Sequence, residues 1–91
     1  MQLMTTTTPQ RRYHRFQVDT KVRLSVEGSD RKYDGRCTVV AVGGMGVEVA
    51  AKFDVGEIVE VEFVDVTQPP LQAKIVYRNA YEYGLQFLEI L

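Results

Sequence analysis

The chain has a single cysteine, Cys37, and a single histidine, His14. One cysteine excludes an internal disulfide and is compatible with a reducing compartment. One histidine beside one strand-borne cysteine leaves no metal site of the usual ligand set. A nucleophile with a general base at hand is missing as well, because Cys37 would have only His14 to activate it; no enzyme is expected. Charge of one sign is not in excess: 11 Lys and Arg stand against 12 Asp and Glu, a formal net charge of −1. General nucleic-acid binders are usually basic overall, so positive charge acts locally here and favours a small anionic ligand over a long polyanion. No run approaches the roughly 20 apolar residues of a membrane helix. The N-terminal Met1-Gln2-Leu3-Met4 and Thr5 to Thr8 show neither the basic region nor the apolar run of a signal peptide. A cytoplasmic protein without membrane insertion is expected. A chain of 91 residues makes one small domain that buries only about 60–65% of its unfolded surface, with little room for an enclosed catalytic cavity.

What the sequence does contain is a basic cluster, Arg11-Arg12-Tyr13-His14-Arg15, between a patternless start and a strand-like body. Residues 1–9, rich in threonine, cannot bury enough surface to offset the entropy of ordering and read as a disordered tail. The domain proper is expected over 10–91, with 10–16 as a flexible basic arm that Phe16 and Val18 begin to anchor. A guanidinium is a rigid planar fork that matches phosphate oxygens and stacks on flat rings, so Arg11, Arg12 and Arg15 are candidate anion-binding residues. His14 could hydrogen-bond a phosphate or stack on a base; a solvated arm residue is the plainer reading.

From Lys21 onward apolar residues alternate with polar ones, the pattern of half-buried antiparallel strands. Val22, Leu24 and Val26 form the first inner face, with Ser25 among the outer residues. Gly28-Ser29-Asp30 is turn chemistry. Arg31 to Val42 supplies a second strand, with Cys37 as a small buried hydrophobe. Gly43-Gly44-Met45-Gly46 reads as a break, since glycine reaches positive φ without steric cost. Val47 and Val49 follow, and Lys52 to Gly56 reads as the next turn. Val59, Val61 and Phe63 face inward from a fourth strand, which Pro69-Pro70 separates from the fifth. Leu71, Ala73, Ile75 and Tyr77 are expected inside the fifth strand, and Tyr81, Tyr83, Leu85 and Phe87 inside the sixth. Six short strands without helical periodicity predict an all-β fold, a small antiparallel barrel.

Three landmarks then fall in order: Arg11-x-x-x-Arg15 before the barrel, Tyr33-Asp34-Gly35 leading to Gly43-Gly44-Met45-Gly46-Val47, and Val76-Tyr77-Arg78-Asn79 with Tyr83-Gly84-Leu85-Gln86-Phe87. Over about residues 10–90 the chain resembles the PilZ domain, the bacterial receptor module for the second messenger cyclic di-GMP, whose fold is a six-stranded antiparallel barrel. The resemblance implies that Arg11 and Arg15 grip phosphates and guanine faces, with Arg12 auxiliary, and that the arm folds over the barrel when ligand binds. The family's second motif is Asp or Asn, any residue, Ser, any two residues, Gly. With Gly44 as its glycine, Val39 and Ala41 occupy the polar positions; with Gly46 as its glycine, Ala41 and Gly43 do. Either frame keeps the glycines and loses the polar side chains. Losing a charged hydrogen-bond acceptor weakens binding by about 10- to 150-fold, so reduced affinity is expected.

Apolar residues also fall on faces that should meet solvent: Val40, Val42, Val76, Leu88, Ile90 and Leu91. Members of the family often carry a C-terminal helix over part of the barrel, and without one this surface would serve protein contact or self-association as a homodimer. The leading reading is a non-enzymatic adaptor that senses cyclic di-GMP and signals to an effector protein by contact. The alternative is a PilZ-like interaction module independent of nucleotide, in motility, polarity or surface-polysaccharide control. A barrel of the OB type that binds nucleic acid is a third reading, weakened by the near-neutral charge.

Overall fold

The computed structural model describes residues 15–88. The tail and most of the arm, with Arg11, Arg12, Tyr13 and His14, lie outside the described residues, as do Ile90 and Leu91. Among the described residues six strands follow one another: β1 (Phe16–Val26), β2 (Tyr33–Val40), β3 (Gly44–Val49), β4 (Ile58–Phe63), β5 (Leu71–Asn79) and β6 (Glu82–Phe87). All pairings are antiparallel. They close into a barrel in the order β1-β2-β3-β6-β5-β4, with β4 returning to β1. The fold class read from the alternating pattern is the one observed, and closure leaves no long sheet edge open to another chain.

The interior is filled by the inward residue of each alternating pair. Val22 and Leu24 of β1, Cys37 of β2, Val47 and Val49 of β3, Val59 and Val61 of β4, Ala73 and Ile75 of β5, and Tyr83 and Leu85 of β6 are all buried. Val18, Val26, Phe63 and Phe87 pack against this core from its margins. Phe16 belongs to β1, but its side chain is largely exposed.

Several positions depart from strict alternation. Between Cys37 and Val39, Thr38 is an extra residue opposite the adjacent Val47 and Gly46. Between Ile75 and Tyr77, Val76 is an extra residue opposite Leu85 and Gly84. A bulge inserts one unpaired residue and reverses the facing of everything beyond it. Val40 therefore turns inward to pair with Met45 and pack on the core, and is not the exposed residue expected from the pattern. Tyr77, expected inside, is turned out and is 53% exposed.

Tyr81 is also outside, 65% exposed, because it belongs to the β5–β6 turn and precedes the strand. Ala80 beside it takes φ 58°, a left-handed conformation that L-residues adopt only at a cost. The glycine segment is not a break either. Gly44, Met45 and Gly46 lie within β3, the turn is confined to residues 41–43, and none of Gly43, Gly44 and Gly46 has a positive φ. Met45 is core, and so is Phe53, read as part of a turn; Ser25 keeps its outer-face position opposite Glu60, although it is buried there. β2 stops at Val40, two residues short of its expected end.

Phe53 enters the core from the β3–β4 loop because Tyr83 holds that loop. The Tyr83 hydroxyl accepts a hydrogen bond from the Phe53 amide at 3.0 Å and donates one to the Ala51 carbonyl at 2.8 Å. The Phe53 ring meets Tyr83 edge-on at 5.5 Å and Tyr33 at 5.6 Å between centroids. One phenol thus satisfies two main-chain groups that a loop over a core would otherwise leave unpaired. Tyr83→Phe keeps the ring and removes both bonds. Urea denaturation should show a loss of about 1–3 kcal/mol, and a variant as stable as the wild type would show that the loop is held otherwise.

Candidate functional site

Outward-facing residues of five strands form one continuous row: Gln17 pairs with Val39, Val39 with Gly46, Gly46 with Gly84, and Gly84 with Tyr77. Both β2 and β5 bulges lie next to this row, and they place Val39 and Tyr77 on the outside. The two facing glycines lower its middle. A Cβ on Gly46 would come within 2.7 Å of Val39 Cγ1, and a Cβ on Gly84 would collide with the Cε2–Cδ2 edge of the Tyr77 ring. Val39 therefore leans over one glycine and the Tyr77 ring lies over the other, which gives the trough an apolar floor.

Arg15 closes one side. Phe16 pairs with Val40, so the residue before it arrives beside Ala41, on the same outward face as Val39. The result is an open groove of about 500 Å3 lined by Arg15, Val39, Ala41, Gly43, Gly44, Met45, Gly46, Val76, Tyr77, Gly84, Leu85 and Gln86. The β2–β3 turn at its rim is fixed by main-chain bonds from Ala41 N to Gly44 O and from Phe87 N to Gly43 O, both 2.9 Å. The structure thus gathers Arg15, Val39, Ala41, Gly43, Gly44 and Gly46 into one groove. Arg11, Arg12 and His14 fall outside the described residues.

The sequence reading missed Tyr77, Gln86 and Gly84 as groove residues. Tyr77 was hidden by the period-two pattern, which holds only where no bulge intervenes. Gly84, in the middle of a strand, was the available signal, since glycine there often marks a close approach of another group.

A second groove, about 640 Å3, crosses the outer face of β1, β2 and β3 past Lys21, Arg23, Asp34, Arg36 and Glu48. Its charges are mixed and largely compensated: Arg23 meets Asp34 at 3.3 Å, and Arg36 meets Asp19 at 2.9 Å. Exposed pairs of this kind contribute little to stability, and they leave no concentrated field of one sign. The first groove differs in setting one guanidinium against an apolar floor, an arrangement suited to an anion that carries flat rings.

Cys37 offers no chemistry to either groove. It is fully buried, its Sγ lies 3.5 Å from the Val39 carbonyl oxygen, and burial pushes its thiol above the ordinary value. Among the described residues no group of three or more His, Cys, Asp and Glu side chains converges to hold a metal, and no helix is long and apolar enough to cross a membrane.

The PilZ domain family model matches residues 9–91, and the chain belongs to that family. PilZ domains are a cyclic di-GMP receptor family and are generally non-catalytic binding modules. Among solved structures, the PilZ domain of CeSA from a cellulose-synthesizing bacterium is similar, with a TM-score of 0.71 and 18% identity over 86% of this chain and 83% of that one. At that identity the likeness is one of fold. No curated protein matches the chain.

Two outcomes follow from the groove's construction. A Cβ on Gly44 would run into the Leu85 carbonyl of β6, which is backbone and cannot step aside, whereas a Cβ on Gly43 meets nothing within 4 Å. Gly44→Ala should lower the melting temperature by about 10 °C or more, from overpacking of about 3 kcal/mol. Gly43→Ala should leave it within a few degrees, and equal losses would contradict this placement of β3 against β6. For Cys37 the sign is that of a raised acid: the folded state keeps its thiol protonated where the unfolded chain ionises, so its contribution to stability declines as pH rises above the ordinary thiol range. The native protein should react slowly with a thiol-specific reagent at pH 8 and rapidly once unfolded in urea.

Proposed function

We propose that this PilZ domain is a non-enzymatic adaptor that takes cyclic di-GMP in the groove beside Arg15 and signals through protein contact. The observation that carries the reading is the convergence of Arg15 with the sequence-distant stretch of Val39, Ala41, Gly43, Gly44 and Gly46, a shared purpose that the family resemblance implies. Arg15 supplies a phosphate contact at the groove wall. Arg11 and Arg12 precede it by four and three residues, close enough along the chain to bring further cations to the same ligand. Tyr77, lying over Gly84 with half its surface exposed, gives the groove a flat face for a purine.

Val39 and Ala41 make this receptor a weak one, since methyl groups stand where a carboxylate or amide and a hydroxyl would accept hydrogen bonds. The same observation favours a second reading, in which the domain has lost its nucleotide and acts by protein contact alone. Val42, Val76 and Leu88 remain exposed and apolar in the structure, and they suit either reading as part of the contact surface.

A titration of 15N-labelled protein with cyclic di-GMP, followed by amide shifts at low and physiological salt, decides between the two. Saturable shifts at Ala41, Gly43, Gly44, Gly46 and Gly84 are expected, weakened about 10- to 150-fold in Arg15→Ala and strengthened in Val39→Asp/Ala41→Ser. Absence of shifts in the wild type, with binding gained by the double variant, would replace this reading with the nucleotide-independent one.

A further inference from the structure

The apolar floor of the groove is one row of outward positions, and a second row runs beside it. Phe16 pairs with Val40, which sets Arg15 next to Ala41. Ala41 N bonds to Gly44 O at the β2–β3 turn. Gly44 pairs in turn with Gln86 of β6, and Gln86 with Lys74 of β5. Arg15, Ala41, Gly44, Gln86 and Lys74 thus cross the barrel in order, two residues along each strand, or roughly 7 Å, from the row that holds Val39, Gly46, Gly84 and Tyr77. The middle of this second row is low, because Ala41 and Gly44 bring no long side chain. Each of its ends carries a cation.

Lys74 faces outward by simple alternation, exposed between the buried Ala73 and Ile75. The bulge at Val76 then lets Tyr77, three positions on, share that outer face. Directly opposed residues of an antiparallel pair hold their Cβ atoms about 4.5–5.5 Å apart, so the lysine stem begins beside Gln86, which lines the groove. That stem is flexible and ends in three donors. Among the described residues no ion pair occupies the Lys74 ammonium, whereas Lys32 is held by Glu62 and the arginines of the second groove by Asp34 and Asp19.

The two ends of the row stand four interstrand spacings apart, roughly 19 Å along the sheet. Two long side chains leaning toward the low middle narrow the gap between their charged tips. A cyclic dinucleotide carries two phosphates on opposite sides of one ring, so a cation at each end of such a row matches its charge distribution. Resting on the reading of the groove as a cyclic dinucleotide site, we propose that Lys74 is a further ligand-binding residue, its ammonium meeting a phosphate from the β5 side while Arg15 meets the ligand from the β1 side. The purine faces then rest over Val39 and Tyr77 in the neighbouring row.

The test is a set of amide-shift titrations of the full chain with cyclic di-GMP, at low and physiological salt, for the wild type, Lys74→Gln, Lys74→Arg and Lys52→Gln. The last makes the same change of charge in the β3–β4 loop, at the end of β3 away from the groove. Lys74→Gln should bind about tenfold more weakly at low salt and depend less on salt than the wild type, while Lys74→Arg should stay within about threefold of it. Lys52→Gln should match the wild type. Because Lys74 is exposed, all variants should melt within a few degrees of the wild type. Equal affinities of the wild type and Lys74→Gln, or equal losses in Lys74→Gln and Lys52→Gln, would overturn the role of Lys74 and leave the groove's assignment intact. A wild type that never saturates would remove that assignment and this inference with it.

Discussion

Gly46 and Gly84 face each other across β3 and β6, and the arrangement of the outer surface depends on their having no side chains. Val39 from one flank and Tyr77 from the other occupy the space their Cβ atoms would take. The two strands beneath remain in register, and above them the sheet carries a trough instead of the ridge that ordinary side chains would raise. Overpacking at either glycine would have to move a branched methyl or a ring, and at Gly44 the backbone of the neighbouring strand itself.

The position of that trough follows from two bulges. Thr38 and Val76 are each one residue too many for the opposing strand. A barrel of six strands must bend sharply, and an inserted residue bends and twists a strand where it sits. The same insertion reverses the facing of the chain beyond it. Val39 and Tyr77 are turned out and Val40 is turned in, so one local irregularity serves both barrel closure and groove construction. At the opposite end of β3, Tyr83 performs the complementary task. It anchors the β3–β4 loop through two main-chain bonds and lets Phe53 fill the core beneath.

The groove's electrostatics are correspondingly simple. One described cation, Arg15, stands at a wall of aliphatic and aromatic carbon, where a phosphate pairs with it in surroundings less polar than water and is screened less than on an open face. The second groove has more charge and less field, because its arginines are already paired with Asp19 and Asp34. Number of charged groups alone does not distinguish a binding site from a solvated face; uncompensated sign does.

The sequence by itself determined the fold class, the six strands and most of the core, because alternation of apolar and polar residues is a local property that burial on one face imposes directly. It also determined the chemistry available to the site: a cluster of arginines, three glycines, and no acid at Val39 or hydroxyl at Ala41. Only the tertiary structure decided where the alternation is interrupted. Tyr77 and Tyr81 carry the same periodic signal as Tyr83, yet a bulge turns the first outward and a turn claims the second, while Tyr83 alone finds hydrogen-bond partners in a loop thirty residues away in sequence. Met45 and Phe53 sit among turn-forming residues and are core nonetheless, because the strands around them close. Register is fixed by how opposing strands match in length around a closed circle, a condition on the whole barrel that no short window of sequence contains.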